Sequence, residues 1–441
     1  MCSASKASFD CAGKRFFLTT FGCKVNQYES EALREAWESL GMVECAHPRE
    51  ADFIVVNSCA ITAKGERDSR QAVCRLRKKA PLATLFLVGC ATTCIRDDGS
   101  FGERIHIVPN KAKPLLLTLS GLERLLLGET DGSPEPAEDG YPTFAITRYP
   151  RARPVLKVQD GCSHRCTYCI VPTARSRPMS RPYAEVLAEA SVLLGKGYGE
   201  LILSGINLKQ YHADCGDFWD LLAALDRDLA PHFAGKARIR ISSVEPSQLS
   251  AKGLSVLAHS VLLCPHLHIS LQHTAQNILR RMGRGHYSAF DLAQALEKLA
   301  WPVFGLGCDL IIGFPGETER DVDDLCAFCK ELPFTYAHVF PYSRRPGTAA
   351  AHFPDQVPEA CAAERARRVR ELFYEKNKDF RARLVGLGQK LTIVPEEGSP
   401  VKGLCEYAVT CVSDGSVPFS RGLVSVRAKA LVQKGLLVEK A

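Results

Sequence analysis

The stretch Gly161-Cys162-Ser163-His164-Arg165-Cys166-Thr167-Tyr168-Cys169 places three cysteines in one short loop with the spacing C-x3-C-x2-C. A cubane iron–sulfur cluster has four irons, so three thiolates from one loop leave one iron without a protein ligand. An open iron can bind a small molecule directly, as the open position on a catalytic zinc ion binds water. The spacing therefore predicts an iron–sulfur cluster with an open site. A zinc knuckle with His164 as its fourth ligand, or three reduced core cysteines, are the alternatives.

Six short apolar runs, rich in β-forming residues, alternate with helical patterns from about Arg148 onward. The runs are Val155–Val158, Leu201–Ser204, Arg238–Ser242, His266–Leu271, Cys308–Phe314 and His338–Tyr342. This alternation predicts parallel strands joined by helices in an open or partial barrel, whose site should lie at the carboxyl ends of the strands. The three-cysteine loop follows the first predicted strand, where this rule places a site.

An earlier alternation, from about Arg15 to Gly128, predicts a parallel α/β domain. Its predicted strands are Phe16–Thr20, Phe53–Asn57 and Leu85–Gly89, and its predicted helices run from Glu29 to Leu40 and from Ala63 to Lys79. Cys23, Cys59 and Cys90 each stand at or just after the end of one of these strands. Because the carboxyl ends of parallel strands share one edge of a sheet, the three cysteines could converge. Buried reduced cysteines are the alternative interpretation.

The fold class that these patterns predict is α/β, with a small C-terminal β-barrel indicated by short strands broken by Gly, Pro and Asp. We expect a disordered tail over residues 1–13, an N-terminal domain over 14–128, a linker over 129–146, a core over 147–385 and a C-terminal domain over 386–441.

Composition narrows the class of protein. Nineteen cysteines spread over 441 residues, without a secretory signal, indicate reduced thiols and metal ligands rather than a disulfide framework. No apolar run reaches the roughly 18–20 residues that a membrane span needs, so we expect a cytoplasmic protein without a membrane partner. The formal net charge of +7 permits a nucleic-acid partner without establishing one.

The residues that flank the three-cysteine loop make the interpretation more specific. Val158-Gln159-Asp160 enters the loop, and Ile170-Val171-Pro172-Thr173-Ala174-Arg175-Ser176-Arg177 leaves it. With the loop, these runs resemble the radical S-adenosylmethionine methylthiotransferases, which put a methylthio group on tRNA bases or on a ribosomal protein. Nearly the whole chain, from about Lys14, can be laid on that family's domain order.

The resemblance implies two 4Fe–4S clusters, with S-adenosylmethionine as cosubstrate in a radical S-adenosylmethionine barrel. One cluster would be held by Cys162, Cys166 and Cys169, and the second by Cys23, Cys59 and Cys90. Cys94 is a rival for the last position, but the family's ligand follows a strand-ending glycine, here Gly89. No catalytic residue beyond the cluster ligands is assigned.

The resemblance also implies where the cosubstrate binds. Tyr168 matches the aromatic residue near the adenine, Gly205 and Asn207 match the loop that approaches the methionine part, and Ser242 and Glu245 match the strand end that approaches the ribose and amino group. An ordinary turn after a strand is the alternative for each. The chain has Leu271-Gln272-His273-Thr274 where the family usually has Leu-Gln-Ser-Gly, so His273 is either a site residue or an ordinary loop histidine.

Two segments bear on a nucleic-acid partner. Ala363–Arg383 carries eight lysines and arginines on a predicted helix, partly neutralised by glutamates, and is either an RNA-binding face or a solvated face. The C-terminal segment resembles the TRAM domain, a small RNA-binding barrel. We expect this barrel to be dispensable for cleavage of the cosubstrate.

Two runs, Gly22–Ser30 and Asn57–Thr62, resemble the branch of the family that acts on threonylcarbamoyladenosine. The resemblance implies a transferase that attaches a methylthio group to carbon 2 of N6-threonylcarbamoyladenosine next to the anticodon of tRNA, with a flavodoxin- or ferredoxin-like electron donor and an unidentified sulfur source. Arg281 and Arg284 are candidates to contact the threonyl carboxylate or tRNA phosphates. The alternatives are a methylthiotransferase acting on isopentenyladenosine and a non-catalytic RNA-binding protein that carries clusters.

Overall fold

The computed structural model describes residues 10–95, 101–129, 144–175 and 177–441. The chain divides into two compact units. The first contains the chain up to Thr147 with residues 160–163 and 169–179, and the second contains residues 148–159, 164–168 and 180–441. Of the predicted tail, residues 1–9 lie outside the described residues, as do residues 130–143 of the predicted linker. The predicted domain boundaries stay predictions.

The N-terminal unit contains a five-stranded sheet in the order β2-β1-β3-β4-β5, in which all paired strands are parallel. Its strands and helices are β1 (Arg15–Thr20), α1 (Lys24–Ser39), β2 (Val43–Glu44), β3 (Phe53–Ser58), α2 (Ala63–Lys79), β4 (Thr84–Gly89), β5 (Ile105–Ile107) and α3 (Leu119–Leu126). The predicted parallel α/β domain is therefore confirmed.

Burial explains the central strands of this sheet. Every residue of β3 is buried, as expected for a parallel strand that is covered on both faces. Helix α2 begins where the Thr62 hydroxyl accepts a hydrogen bond from the Gly65 backbone N–H, and its last turn carries three basic residues. These features fix the loops that leave the carboxyl ends of the strands.

The elements that follow begin with the segment around the three-cysteine loop and continue through the core. They are β6 (Val155–Lys157), β7 (Gln159–Asp160), α4 (Val171–Ala174), β8 (Met179–Ser180), α5 (Tyr183–Gly195), β9 (Glu200–Ser204), β10 (His212–Ala213), β11 (Gly216–Asp217), α6 (Phe218–Phe233), β12 (Arg238–Ile241), α7 (Ala251–His259), β13 (His266–Gln272), α8 (Gln276–Arg281), α9 (Ala289–Glu297), β14 (Gly305–Ile312), α10 (Glu319–Glu331), β15 (Tyr336–Pro341) and α11 (Glu359–Gly386).

Six strands of the core follow one another around a partial barrel, as predicted. One parallel sheet has the order β12-β9-β6 and a second has the order β13-β14-β15. Isolated parallel bridges, Ile239 with Leu263 and Val244 with Ile269, connect the two sheets. Among the described residues, no helix is both long enough and apolar enough to cross a membrane.

The C-terminal segment closes into a small barrel with the strand order β16-β17-β18-β20-β19, as predicted. Its strands are β16 (Lys390–Glu396), β17 (Lys402–Cys405), β18 (Thr410–Ser413), β19 (Val424–Val432) and β20 (Gly435–Lys440). Seven side chains of its apolar interior, among them Leu391, Ile393, Cys405 and Val438, are fully buried.

The C-terminal barrel is joined to the amino-terminal ends of the core strands by buried charge. Arg238 donates to the carbonyl oxygens of Thr392 and Leu404, and Arg240 donates to those of Cys405 and Glu406. Both guanidinium groups also bind the fully buried carboxylate of Glu200. Removal of the barrel would strip these buried arginines of their acceptors, which would destabilise the core. That cosubstrate cleavage does not need the barrel stays a prediction.

Helix α11 contains the predicted basic segment, but most of its cations have structural partners. Arg365 is buried against Glu317 and Glu319, and Arg381 donates to the carbonyl oxygens of Val432 and Gly435. The exposed members largely pair with acids, as Arg367 does with Glu364 and Glu371, or bind backbone carbonyls. The segment is therefore mainly a packing and ion-pairing surface.

Candidate functional site

Three cysteines of the N-terminal unit converge at the carboxyl ends of β1, β3 and β4. Burial raises the pKa of the Cys59 thiol to about 11, and the thiols of Cys90 and Cys23 add to this increase. Cys23 in turn is affected by Cys90. Cys23, Cys59 and Cys90 therefore lie close enough to influence one another, although the residues are 36 and 31 positions apart in the chain. Their assignment as ligands of one cluster stays a prediction.

Two glycines allow this convergence. Gly22, with a φ of 97°, lies so close to Cys59 that a Cβ atom at this position would be 2.9 Å from the Cys59 Sγ. Gly89, with a φ of 92°, directly precedes Cys90, and a Cβ atom there would be 2.4 Å from the Ser58 carbonyl oxygen. Only glycine tolerates both the left-handed conformation and the close approach, so these residues bring the thiols together.

Buried charges lie beside the three thiols. The Arg175 guanidinium donates to Glu29, to Asp160 at 2.7 Å and to the Asn26 side-chain oxygen at 2.8 Å. Lys113 donates to the same Glu29 carboxylate at 2.6 Å. Arg175 lowers the pKa of both Cys23 and Cys59, which counteracts part of the effect of burial. The network therefore supplies positive charge where thiolates would form.

The donors in this pocket fit an iron–sulfur cluster. The Nε atom of Arg175 is buried and has no hydrogen-bond partner among the described residues, so an N–H donor stays available next to three thiols. A buried cation and an unpaired donor suit a group that is anionic and rich in sulfur acceptors. Because burial raises the pKa of the Cys59 thiol, metal binding there would release protons.

The three-cysteine loop runs between β7 and α4. Cys166 is buried, and Cys162 and Cys169 are half-buried. Within the second unit, Thr167 anchors the loop, because its backbone N–H donates to the Met282 carbonyl and its hydroxyl donates to the Arg281 carbonyl. The His164 Nδ1 atom lies 3.5 Å from a carboxylate oxygen of Glu245. The loop thus carries three thiols on a fixed backbone, and the contact of His164 with Glu245 weighs against the zinc-knuckle interpretation.

Glu245, predicted to contact the cosubstrate, is the centre of a polar cluster after β12. Its Oε1 atom accepts hydrogen bonds from Lys209 at 2.9 Å, Ser247 at 2.7 Å and His286 at 2.6 Å. Burial would raise the pKa of this carboxyl group, but the three hydrogen bonds and the charge of Arg284 outweigh burial and lower the pKa to about 2. Glu245 is therefore an anion that is positioned to accept a further donor.

Asn207 and Gly205 lie in the loop after β9. The Asn207 backbone N–H donates to the Gln159 side-chain oxygen at 2.8 Å, and its amide nitrogen lies 3.5 Å from His164 Nδ1. A Cβ atom at Gly205 would be 2.9 Å from the Gln159 Cβ, so packing already requires glycine there. Ser242 is half-buried, and its backbone N–H donates to the Leu203 carbonyl.

Tyr168 is held by Arg284, which the sequence had suggested as a contact for the threonyl carboxylate or tRNA phosphates. The Arg284 Nε atom donates to the Tyr168 hydroxyl at 2.9 Å, and Arg284 also donates to the Ser270 carbonyl. The Tyr168 ring contacts Phe314 edge to face, with centroids 6.4 Å apart. Arg284 therefore positions the aromatic ring. Arg281 instead lies over the ring of Phe353.

His273 is fully buried in the structure. Its Nδ1 accepts a hydrogen bond from the Ala275 backbone N–H, and its Nε2 lies 3.5 Å from a Glu317 carboxylate oxygen. These contacts favour the ordinary loop histidine over a site residue. Sequence reasoning missed Lys209 and His286 as partners of Glu245, because both come from loops without a recognisable motif.

Comparison with known families agrees with this geometry. The Radical SAM superfamily matches residues 156–329, and the uncharacterized protein family UPF0004 matches residues 15–100. The first match begins just before the three-cysteine loop and continues into α10. The second covers the strands that carry Cys23, Cys59 and Cys90.

Curated relatives extend over nearly the whole chain. The threonylcarbamoyladenosine tRNA methylthiotransferase MtaB of Thermotoga maritima is 32% identical over 95% of this chain and 95% of its own length. The protein of the same name from Bacillus subtilis is 34% identical over 86% of this chain and 84% of its own. Relatives named tRNA-2-methylthio-N(6)-dimethylallyladenosine synthase reach 28% and 30% identity.

Among solved structures, the radical S-adenosylmethionine methyltransferase TsrM from Kitasatospora setae, with cobalamin and a [4Fe-4S] cluster bound, has a similar fold. Its TM-score is 0.57 at 16% identity, with 77% of each chain covered. This likeness concerns the fold alone. The curated relatives show that the chain belongs to the radical S-adenosylmethionine methylthiotransferase family, in the threonylcarbamoyladenosine tRNA methylthiotransferase (MtaB) group.

Proposed function

We propose that this protein attaches a methylthio group to carbon 2 of N6-threonylcarbamoyladenosine next to the anticodon of tRNA. The observation that carries the proposal is the presence of two cysteine sets, each following strands of a parallel α/β sheet, in a chain that matches enzymes of this name over 95% of its length. A non-catalytic RNA-binding protein would need neither set.

The enzyme uses two 4Fe–4S clusters and S-adenosylmethionine, which supply radical chemistry, a methyl group and a holding position for sulfur when bound. We assign Cys162, Cys166 and Cys169 to the first cluster and Cys23, Cys59 and Cys90 to the second. The support for the second set is the mutual influence of its thiols and the cation Arg175 beside them.

The residues around Glu245 and Tyr168 are the proposed contacts of S-adenosylmethionine. Glu245 stays ionised at neutral pH and suits the amino group of S-adenosylmethionine, while Tyr168, fixed by Arg284, suits the adenine. Gly205, Asn207 and Ser242 would border the same ligand through their backbone and short side chains. Lys209, His286 and Arg284 act as positioning residues, because each contacts Glu245 or Tyr168.

The threonyl carboxylate of the substrate requires a cation, and Arg281 is the remaining candidate of the two that were predicted. Arg284 is engaged with Tyr168 and Ser270, whereas the Arg281 Nε atom has no partner among the described residues. The electron donor, the sulfur source, RNA binding by the C-terminal barrel and the cytoplasmic location stay predictions from sequence.

The test is a competition between two modified tRNAs. Anaerobically reconstituted enzyme receives reductant, S-adenosylmethionine and tRNA that carries either threonylcarbamoyladenosine or isopentenyladenosine, and the nucleosides are analysed by mass spectrometry. We expect methylthiolation of the threonylcarbamoylated tRNA, and none with the Cys162→Ala variant. Methylthiolation of the isopentenylated tRNA alone would establish the alternative substrate. Absence of product with both tRNAs, despite cosubstrate cleavage, would reject the proposal.

A further inference from the structure

A second polar cluster of the core lies on three neighbouring strands and takes no part in the proposed function. Asp309 on β14 is paired in register with His338 on β15. His268 on β13 is paired with Gly307, two positions before Asp309 and therefore on the same face of the sheet. Two imidazoles and one carboxylate thus stand side by side, although 70 residues separate the outer two in the chain.

The distances within this cluster are slightly shorter than those between two ligands of one metal ion. The His268 Nε2 atom lies 3.0 Å from Asp309 Oδ1, and the His338 Nδ1 atom lies 3.2 Å from the same oxygen. Zinc bonds to imidazole and carboxylate are about 2.0–2.2 Å long, so two ligands of a tetrahedral ion are about 3.3–3.6 Å apart. A shift of a few tenths of an ångström would therefore convert these contacts into two edges of a tetrahedron.

Outer groups already orient one of the imidazoles. The Tyr336 hydroxyl lies 3.0 Å from His268 Nδ1 and 2.8 Å from His266 Nε2, which directs the His268 Nε2 atom toward Asp309. A Cβ atom at Gly307 would be 2.6 Å from His268 Nδ1, so glycine leaves the space that this arrangement needs. Metal-binding histidines characteristically have such a partner on the second ring nitrogen.

The cluster runs from the interior to the surface. The His268 side chain is 7% exposed, Asp309 is 26% exposed and His338 is 57% exposed. Two imidazoles and one carboxylate, open on one side, suit a borderline divalent transition metal with a vacant coordination position.

We propose that His268, Asp309 and His338 form a mononuclear site for a divalent transition metal, with Zn²⁺ as the probe ion. The site is separate from both cysteine sets and does not rest on the proposed function. A metal-free hydrogen-bonded triad, in which both imidazoles donate to Asp309, is the alternative that the experiment must separate.

The experiment uses the holoenzyme with both clusters reconstituted, equilibrated with Zn²⁺ and desalted under anaerobic conditions. Zinc content and zinc K-edge absorption spectroscopy are measured together, because nitrogen and oxygen ligands lie at about 2.0–2.1 Å and cysteine sulfur lies at about 2.3 Å. We expect the wild-type protein to retain one zinc ion with a nitrogen and oxygen shell. His338→Ala and Asp309→Asn should each lose this ion.

His212→Ala is the matched control, because His212 is an exposed histidine on β10, outside the cluster. It should retain the zinc ion, and all variants should keep the wild-type iron content. His338 is exposed, so its replacement should not disturb folding, and Asp309→Asn provides a second, nearly isosteric test. Equal zinc content in wild type and both variants, or a shell of sulfur alone, would overturn the proposal and leave the metal-free triad.

Discussion

Two buried networks of charge, one in each compact unit, use the same chemical groups but are neutralised differently. In the N-terminal unit, Arg175 and Lys113 pair with Glu29 and Asp160, so two cations meet two carboxylates. In the core, the fully buried carboxylate of Glu200 faces Arg153, Arg238 and Arg240. The remaining positive charge there is met by the C-terminal barrel, through Glu396, Glu406 and backbone carbonyls.

The difference indicates what each network does. The N-terminal network lies beside three thiols, where Arg175 can offset the negative charge of thiolates. The core network takes carboxylates and carbonyl acceptors from a second part of the chain, so it joins the C-terminal barrel to the core strands. One network should therefore control cluster binding, and the other should control folding of the core.

The largest effects should come from the cysteines themselves. Cys162→Ala, Cys166→Ala or Cys169→Ala should abolish reductive cleavage of S-adenosylmethionine. Cys23→Ala, Cys59→Ala or Cys90→Ala should spare cleavage and abolish methylthio transfer, because these thiols belong to the other set. Iron should fall from about eight to about four atoms per chain in each case. About four irons in the wild-type protein would contradict two clusters, and loss with Cys94→Ala in place of Cys90→Ala would change the ligand assignment.

Removing Arg175 should affect the N-terminal cluster next. Arg175→Met leaves Glu29 and Asp160 with less counter-charge in a buried site, and breaking a buried ion pair in this way costs about 3–5 kcal/mol. We expect a lower thermal midpoint and loss of about half of the iron, since Cys162, Cys166 and Cys169 are unchanged. Arg177→Met, an exposed neighbour, is the control and should change neither quantity. An unchanged iron content in Arg175→Met would show that this network does not support iron binding by the N-terminal cysteines.

Neutralising Glu200 should destabilise the core without loss of iron. Glu200→Gln leaves Arg240 buried without a carboxylate and Arg238 with only Glu406 at 3.8 Å, at a cost of about 3–5 kcal/mol. Glu396→Gln is the matched control, because the Glu396 side chain is 48% exposed and its pairing with Arg153 should contribute less than about 1 kcal/mol. Thermal unfolding and iron analysis of both variants test the contrast. If Glu200→Gln lost as much iron as Arg175→Met, the two networks would not have separate roles in core folding and cluster binding.

The stability difference between wild type and Glu200→Gln should depend on pH with a defined sign. Burial would raise the pKa of Glu200, but Arg240, Arg238 and Arg153 outweigh burial and hold it far below its usual range. A carboxyl group with a depressed pKa stabilises the fold above its unfolded pKa of about 4.3 and loses this contribution as the pH falls further. The difference in thermal midpoint should be constant from about pH 5 to 8 and shrink below about pH 4. A difference that widens on acidification would contradict the assignment.

The smallest effects should come from substitutions on the outer surface of the C-terminal barrel, and they should appear in tRNA binding. Arg427 and Lys434 are exposed there. If the barrel binds RNA, Arg427→Ala or Lys434→Ala should weaken binding and reduce the log–log salt slope by about 0.7 each, without affecting cosubstrate cleavage. Arg367→Ala on α11, already paired with Glu364 and Glu371, should leave the slope unchanged. The reverse result would place the RNA-binding surface on the helix.

Local patterns predicted most of the secondary structure. Helix α2 has the predicted bounds Ala63–Lys79, whereas α1 begins at Lys24, five residues before the prediction. Strand β14 was predicted from Cys308 but begins at Gly305. Glycine resembles a turn residue in sequence, yet here Gly305 packs against the Tyr407 carbonyl and Gly307 against Tyr336, so both lie within a strand because a neighbour approaches closely.

The sequence by itself determined the three-cysteine loop, the order of strands and helices and, through resemblance, the family, because these depend on residues that are neighbours in the chain. Only the tertiary structure decided that Cys23, Cys59 and Cys90 share a pocket with Arg175, that Glu200 joins the barrel to the core, and that His268, Asp309 and His338 meet. Parallel strands bring together side chains that lie tens of residues apart. Residues that meet in this way have no characteristic separation in the sequence, since each crossover connection can have any length that reaches the next strand.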